Sequence, residues 1–277
     1  MIDLKQTNNL IKIFEDVVKN PIITKNKTLY TGIDLGTAFI VLAVMDEEGK
    51  PVAGAYQYAE VVKDGMVVDY IGAVDIVKQL KQTLEEKLGT ELLYGAAAIP
   101  PGTEFVDSGV VKNVCESAGF EIINVLDEPS AANMIINVSN GAVVDIGGGT
   151  TGISIIKDGK VVKVIDEPTG GTHFSLVLAG AYKISFEEAE LIKRDYLRHE
   201  EIFPVLKAVV DKIVSIINKS IIGYDVSEIV IVGGTASLTG IEKYMSSMLK
   251  MPVLKPDNPM FVTPLGIARS CVDKGDK

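Results

Sequence analysis

The sequence predicts an α/β fold of two lobes, each built on the same three-strand opening. A block of apolar strand, Asp, then Gly and Thr occurs twice, as Tyr30-Thr31-Gly32-Ile33-Asp34-Leu35-Gly36-Thr37 and as Ala142-Val143-Val144-Asp145-Ile146-Gly147-Gly148-Gly149-Thr150-Thr151. Each block leads into a strand hairpin, with 15 residues from Asp34 to the turn glycine Gly49 and 14 from Asp145 to Gly159. Around these openings, strand-like runs alternate with helical periods, the pattern of the α/β class.

In the first copy, Ile40 to Val44 is a β-branched run, Asp46 to Gly49 makes a turn, and Pro51 to Tyr56 returns as a strand. In the second, Ile153 to Ile156 enters Asp158-Gly159, a strong hairpin signal, and Lys160 to Val164 leaves it. Val74 to Leu88 has apolar residues at helical spacing and stops at Gly89. Ser108 to Ala118 reads as a helix stopped by Gly119, and Ser130 to Val138 as one that follows Pro129. Ser185-Phe186-Glu187-Glu188 is a capping box opening a helix to Arg198. Val205 to Ile222 predicts a long, mostly buried helix. Glu228 to Val232 reads as a strand running into Gly233-Gly234, with a helix from Gly240 to Leu249. Ahead of the first copy, Leu10, Ile11, Ile13, Phe14, Val17 and Val18 form one stripe opposite Lys12, Glu15, Asp16 and Lys19. That stripe predicts a helix packed on its own body, with a partner-docking helix as the alternative.

Of 277 residues, 47% are hydrophobic and 23% charged, which supplies a packed core and argues against general disorder. The 27 Lys and Arg against 37 Asp and Glu leave a net charge of −10. A surface that negative repels phosphate backbones and anionic lipid, so nucleic acid and membrane are not expected as partners. Cys115 and Cys271 cannot build a disulfide framework or a Cys-rich zinc site and are expected to be buried small residues. His173 and His199 are too far apart for a local ligand pair and are expected to be structural. Met1 to Leu10 carries no apolar signal core, and no run approaches the ~18 apolar residues of a membrane span, so a cytoplasmic location is expected.

The repeated block has a chemical use. A phosphate oxygen is best held by several backbone N–H groups at once, and glycine allows that approach because it has no Cβ. Thr adds a hydroxyl donor. An Asp at the strand end repels phosphate but can hold Mg²⁺, directly or through water, and the metal then bridges to the phosphates. Two such loops facing each other would clamp a polyphosphate. Neither loop is a P-loop, because no Gly-Lys-Ser/Thr ending is present, and neither has the dinucleotide-binding glycine spacing. Taken singly, Asp34 and Asp145 also fit as turn aspartates.

The blocks resemble those of the actin-like ATPases, whose fold is a duplicated, ribonuclease H-like pair of lobes with a nucleotide cleft between them. Ile33-Asp34-Leu35-Gly36-Thr37 and Val144-Asp145-Ile146-Gly147-Gly148-Gly149-Thr150 are similar to the two phosphate motifs. Ile229-Val230-Ile231-Val232-Gly233-Gly234-Thr235 is similar to the adenosine motif, and Asp127-Glu128-Pro129-Ser130-Ala131-Ala132 and Pro264-Leu265-Gly266-Ile267-Ala268 to the two connecting helices. Within that superfamily the chain resembles the ethanolamine-utilisation protein J family. The likeness lies in the stretch from Asp64 to Tyr70, in Ile99-Pro100-Pro101-Gly102-Thr103, in Thr169-Gly170-Gly171-Thr172-His173, in Ser185 to Glu190 and in Thr263 to Ala268.

The resemblance implies lobes at residues 1–140, with a helix within 1–28 and completion by a helix at 262–277, and at residues 141–261. It implies ATP or ADP with Mg²⁺ as cofactors. Asp34 and Asp145 are the expected metal pair, directly or through water, and Asp34, Glu128 and Asp145 the expected catalytic set. Gly36, Thr37, Gly147, Gly148, Gly149 and Thr150 are expected to donate to phosphate, with Gly170 and Gly171 on the phosphate side. Glu128 matches a residue that orients the attacking water, and also fits as a helix cap. Glu190 and Lys193, three apart on one helix face, match residues that contact ribose and adenine, with an exposed ion pair as the plain alternative. Arg194 matches a residue over the adenine ring, and Gly233, Gly234 and Thr235 are expected beneath the adenosine.

The resemblance further implies a chaperone-like conformational switch or reactivating factor in ethanolamine utilisation. Its partner would be a pathway enzyme or a shell protein, inside or at a bacterial microcompartment. A nucleotide-dependent filament or scaffold with little hydrolysis is the alternative. The sequence departs from DnaK-type relatives in two respects. It ends soon after the second connecting helix, so peptide capture by a following domain is not expected. Only 42 positions separate the first hairpin from Ile99, too few for a full small subdomain, and the lysine such relatives place there has no clear match. Slow hydrolysis is the expectation.

Overall fold

The computed structural model describes residues 2–24, 27–63, 65–101 and 107–275. Its strands form two five-stranded sheets with one internal order. In the first, β3 (Pro51–Tyr58), β2 (Phe39–Asp46), β1 (Leu29–Leu35), β6 (Tyr94–Ile99) and β7 (Glu121–Asp127) lie side by side. In the second, β10 (Lys160–Glu167), β9 (Thr151–Lys157), β8 (Gly141–Ile146), β11 (Ile229–Val232) and β12 (Val253–Leu254) follow the same sequence. The first three strands of each sheet are antiparallel neighbours and the last two run parallel to the central one. The repeat is therefore a structural duplication with the two-lobe actin-like architecture. The second hairpin turns through Asp158 (φ 52°) and Gly159 (φ 73°), the pair of left-handed residues that a tight two-residue connection demands. A small ribbon, β4 (Val62–Lys63) paired with β5 (Met66–Val67), follows the third strand of the first sheet in the chain.

Helices cover both faces of each sheet. On the first lobe, α2 (Tyr70–Leu88) and α3 (Asp107–Ser117) close a core around Ile33, Leu42, Val77, Leu84 and Val114. On the second, α5 (Gly171–Tyr182), α6 (Phe186–Arg194), α7 (His199–Ile221) and α8 (Ile241–Leu249) close one around Ile146, Ile153, Phe174, Val210 and Ile231. The third core lies between the sheets and contains residues of α4 (Glu128–Ile136), α9 (Val262–Gly275) and α1 (Lys5–Lys19). The α1 stripe packs on its own body, through Ile11, Phe14 and Val17, while Ile13 falls off it and is exposed. Phe14 meets Phe261 edge-on at 5.1 Å, and Asn258 donates to Glu15 at 2.7 Å. Just ahead of this helix, the backbone N–H of Ile2 donates to Glu228 of the second lobe at 3.0 Å.

Several helix bounds differ from the sequence reading. The helix expected from Ser185 to Arg198 ends at Arg194, because Asp195 leaves helical geometry (ψ 104°) and caps a separate turn at Tyr196–Arg198. The next helix begins at His199, more than a turn before Val205, with Pro204 inside it. Tyr70 rather than Val74 begins α2, behind an Asp69 cap that accepts from Gly72. Asp64, Gly102 and Thr103, which carry part of the family resemblance, lie outside the described residues.

The two connecting helices are seated on the first sheet and on each other by backbone contact. A Cβ on Gly32 of β1 would sit 2.4 Å from the backbone of Pro264 and Ala268, and one on Gly266 of α9 would sit 1.8 Å from the carbonyl oxygen of Ala131 in α4. Neither neighbour is a flexible side chain. Gly266→Ala is expected to cost about 3 kcal/mol or more in thermal or denaturant unfolding, since main chain must move to admit the methyl. Gly180→Ala, on α5 with nothing within 4 Å of its Cβ position, is the control and should stabilise by up to about 1 kcal/mol. Equal effects at the two sites would contradict the packing described.

Candidate functional site

The ends of β1 and β8 face each other across the line between the sheets. Asp34 and Asp145 occupy matching places, opposite Val41 and Gly152 just before each glycine loop. The loops touch: a Cβ on Gly148 would lie 3.1 Å from Thr37 Cβ and 3.2 Å from Ala38 N, so glycine permits the two jaws to close on one another. Around that contact is a small chamber of about 80 Å³, lined by Asp34, Gly36, Thr37, Glu128, Asp145, the Gly147–Thr150 loop, Gly233 and Gly234. Val62, Gly65 and Val67 of the ribbon, with Pro100, form its outer wall.

A second chamber of about 360 Å³ adjoins the first, sharing Ala38, Phe39, Gly148, Gly234 and Met260 with it. Its volume is in the range of small-molecule pockets. Glu190, Lys193 and Arg194 of α6 form one wall, and Gly234 and Thr235 part of the floor. The plain reading of Glu190 and Lys193 as an exposed ion pair is overturned. Lys193 Nζ lies 2.6 Å from Glu190 Oε2, with 13% and 7% of the two side chains exposed. Ser175 Oγ also donates to that carboxylate oxygen at 2.6 Å, and Lys193 donates to the Gly171 carbonyl at 3.0 Å. Arg194 spans the mouth of the chamber, with its guanidinium carbon 4.7 Å from the Tyr58 ring and 5.7 Å from the Phe39 ring of the first lobe. Such a cation over an aromatic face is attractive.

Gly170 and Gly171 line neither chamber but stand behind the second loop. Gly171 N donates to the Gly147 carbonyl at 3.0 Å, Thr172 N to the Gly148 carbonyl at 2.7 Å, and Thr235 Oγ1 to the Gly147 carbonyl at 2.7 Å. A Cβ on Gly170 would sit 2.7 Å from the Gly147 oxygen. Gly233 is required at φ 89°, where a Cβ would lie 2.2 Å from Asp145 Oδ1. The cap of α4 is Asp127, which accepts from Ser130 N at 2.9 Å, so Glu128 is free of that duty and reaches the cavity.

Charge in the small chamber is one-sided. Burial lifts Asp34 to about 7, helped by the charge of Asp145, and lifts Asp145 to about 6 against the opposing hydrogen bond from Thr263. Burial also lifts Asp166 to about 6, where a Thr150 hydrogen bond partly holds it down. Glu128 is raised well above the usual carboxylate range, first by burial and then by Asp145 and Asp34. No Lys or Arg stands among the described residues lining this chamber. Nor does any group of three His, Cys, Asp or Glu among the described residues suffice to hold a metal ion. A divalent cation at Asp34 and Asp145 therefore fits only if phosphate oxygens and water complete its shell.

The sequence reading missed Thr263, Ser175, Asp166, and the aromatic pair Phe39 and Tyr58. Thr263 stood at the head of a recognised block, and Ser175 lies one helical turn after Gly171, but neither hydroxyl carries a spacing signal. Both ring nitrogens of His199 are engaged, Nδ1 2.9 Å from Thr239 Oγ1 and Nε2 3.0 Å from the Lys193 carbonyl, and the residue also lines the larger chamber. Both cysteines are buried.

Comparison with known proteins agrees with this architecture. A family model described as MreB/Mbl protein matches residues 49–187, and one described as cell division protein FtsA matches residues 142–266. The ethanolamine utilization protein EutJ of Escherichia coli (strain K12) is 43% identical over 249 residues, covering 90% of this chain and 88% of that protein. The crystal structure of EutJ from Carboxydothermus hydrogenoformans superposes with a TM-score of 0.89 at 49% identity, covering 94% of this chain and 97% of that one. MreB5 of Spiroplasma citri bound to ADP shares the fold at TM-score 0.68 and 19% identity, over 86% of this chain and 94% of that one. With two glycine loops meeting across duplicated sheets, and nearly end-to-end likeness to those relatives, the chain belongs to the EutJ family of ethanolamine utilization proteins.

Proposed function

We propose that the chain binds ATP and ADP with Mg²⁺ in this double chamber and acts as a chaperone-like conformational switch or reactivating factor in ethanolamine utilization. The observation that carries the reading is the meeting of Gly148 with Thr37 and Ala38 beside Asp34 and Asp145, next to a nucleoside-sized pocket. The ADP-bound state of the structurally similar Spiroplasma protein supports nucleotide as the ligand class. The moving bodies are residues 1–140 together with 262–277, and residues 141–261.

Phosphates would enter between the glycine loops. The carbonyls of Gly147 and Gly148 are engaged from behind, which leaves loop N–H groups for the anion. Mg²⁺, when bound, neutralises phosphate charge and polarises the terminal phosphoryl group. Asp34 and Asp145 are the residues that would hold it, together with phosphate oxygens and water. Glu190 and Lys193 would receive ribose and base, and Arg194 would cover the base. Glu128, entering from the first position of α4, would orient water. Burial, with Asp145 and Asp34 close by, raises its pKa well above the usual carboxylate range, which favours positioning water over strong general-base action. With no cationic side chain among the described residues of the phosphate chamber, charge building on the terminal phosphoryl has little protein support, and hydrolysis is slow. Because both glycine loops line this one chamber, a polyphosphate held there would bridge the two lobes and so bear on their separation. Family membership supports an ethanolamine-pathway enzyme or shell protein as the reader of that change, in the cytoplasm or at a microcompartment.

Calorimetry with ATP or ADP and Mg²⁺ tests the reading. Binding is expected with Mg²⁺ and lost in EDTA, and Asp145→Ala should abolish the metal-dependent binding while leaving the melting transition in place. A folded wild type that binds no nucleotide at millimolar concentration would refute it. The acidic chamber adds a pH signature. In the unfolded chain Asp34 gives up its proton near 3.8, but in the folded cleft it keeps it to about 7. Between those values the folded state holds more protons, so the stability of the nucleotide-free protein falls as pH rises. Its Tm is expected to drop from about pH 5 to about pH 8 without divalent cations, and Asp34→Asn to flatten that slope and melt higher at the alkaline end. An unchanged slope in Asp34→Asn would remove this carboxylate as the cause.

A further inference from the structure

We infer that Thr263 is a positioning residue that couples Asp145 to lobe movement, through a hydroxyl supplied by the helix that belongs to the opposite lobe. The inference rests on the nucleotide-switch reading above and names the residue that transmits it. Thr263 Oγ1 donates to Asp145 Oδ2 at 2.6 Å, and the two residues are 3% and 6% exposed. Asp145 ends β8 of the second lobe, and its other oxygen is pressed against Gly233. Thr263 lies in the first turn of α9, whose Val262, Leu265, Ile267, Ala268 and Cys271 are buried in the core between the sheets. The backbone contacts of Gly32 with Pro264 and Ala268 leave that first turn no freedom relative to β1. The hydrogen bond is therefore a link from the first lobe to a carboxylate at the strand end just before the second lobe's phosphate loop.

A charge-assisted hydrogen bond in a buried place fixes both the orientation of the carboxylate and its distance from the donor. Any ligand that draws Asp145 toward the chamber has to carry α9 with it or break this bond. Thr263 thus converts engagement of one aspartate into displacement of a helix seated in the opposite lobe, a requirement for coupling that proximity alone does not meet.

The test compares wild type with Thr263→Ser, Thr263→Val and Thr263→Ala. Spin labels at Glu86→Cys on α2 and Lys243→Cys on α8 report the distance between lobes, since both sites are exposed and the native cysteines are buried. Mg-ADP is added to saturation, with affinity measured separately by calorimetry. Wild type and Thr263→Ser should show a nucleotide-dependent change in distance. Thr263→Val should bind about tenfold more weakly and, at saturation, show no such change. Thr263→Ala serves in its place if the valine variant melts early. A full distance change in a folded Val or Ala variant would overturn the inference and leave the nucleotide-switch reading standing. Absence of Mg-ADP binding in wild type would overturn both. Loss of affinity in Val or Ala with the distance change intact would reduce Thr263 to a local support of the site and also overturn the coupling.

Discussion

Two glycines without side chains set the spacing on which the molecule depends. Gly32 lets β1 lie against the backbone of α9, and Gly266 lets α9 lie against the backbone of α4. Sheet, connecting helix and second connecting helix are stacked main chain to main chain, where there is no rotamer to adjust. The end of β1, and hence Asp34, takes its position against α9 and α4 from this stack, and Thr263 at the start of α9 reaches Asp145 of the second lobe.

That closeness has an electrostatic cost. Several carboxylates converge where water is scarce; burial lifts each of them, and neighbouring charge adds to this at Asp34 and Glu128. The protein answers with protons and hydroxyl donors rather than with a buried lysine or arginine, at least among the described residues of the chamber. The nucleoside side is treated in the opposite way. There Glu190 is met by Lys193 and Ser175, so the charges are balanced before any ligand arrives. One cleft therefore has a preorganised half and a half left electrostatically unfinished.

Much of this was legible in the sequence, because duplication is a pattern that survives without knowledge of packing. The twin Asp-x-Gly blocks, their hairpins and the helix before them all depend on local chemistry: a strand end, a left-handed turn pair, an apolar stripe. The chambers gather Asp34, Glu128, Asp145, Glu190, Lys193 and Arg194 from four separate segments. What escaped reading depends on contacts between distant segments. Thr263 is 118 residues from Asp145, and nothing in a Thr-Pro step announces a carboxylate partner. Gly170 and Gly171 are expected on the phosphate side by family resemblance, and in the structure this turn braces Gly147 and Gly148 from behind. Helix bounds near Asp195 and Pro204 slipped for a simpler reason, since a short capped turn interrupts a continuous apolar period.

The first helix gives this architecture an asymmetry that its duplicated sheets do not share. The chain just ahead of it is fastened to Glu228, and the helix itself, through Glu15, to Asn258, a residue on the wall of the larger chamber. A lever that is pinned at both arms delivers any pull on it to the pocket wall within a few bond lengths. Traction on that one helix would thus reach the wall of the larger chamber without passing through either sheet.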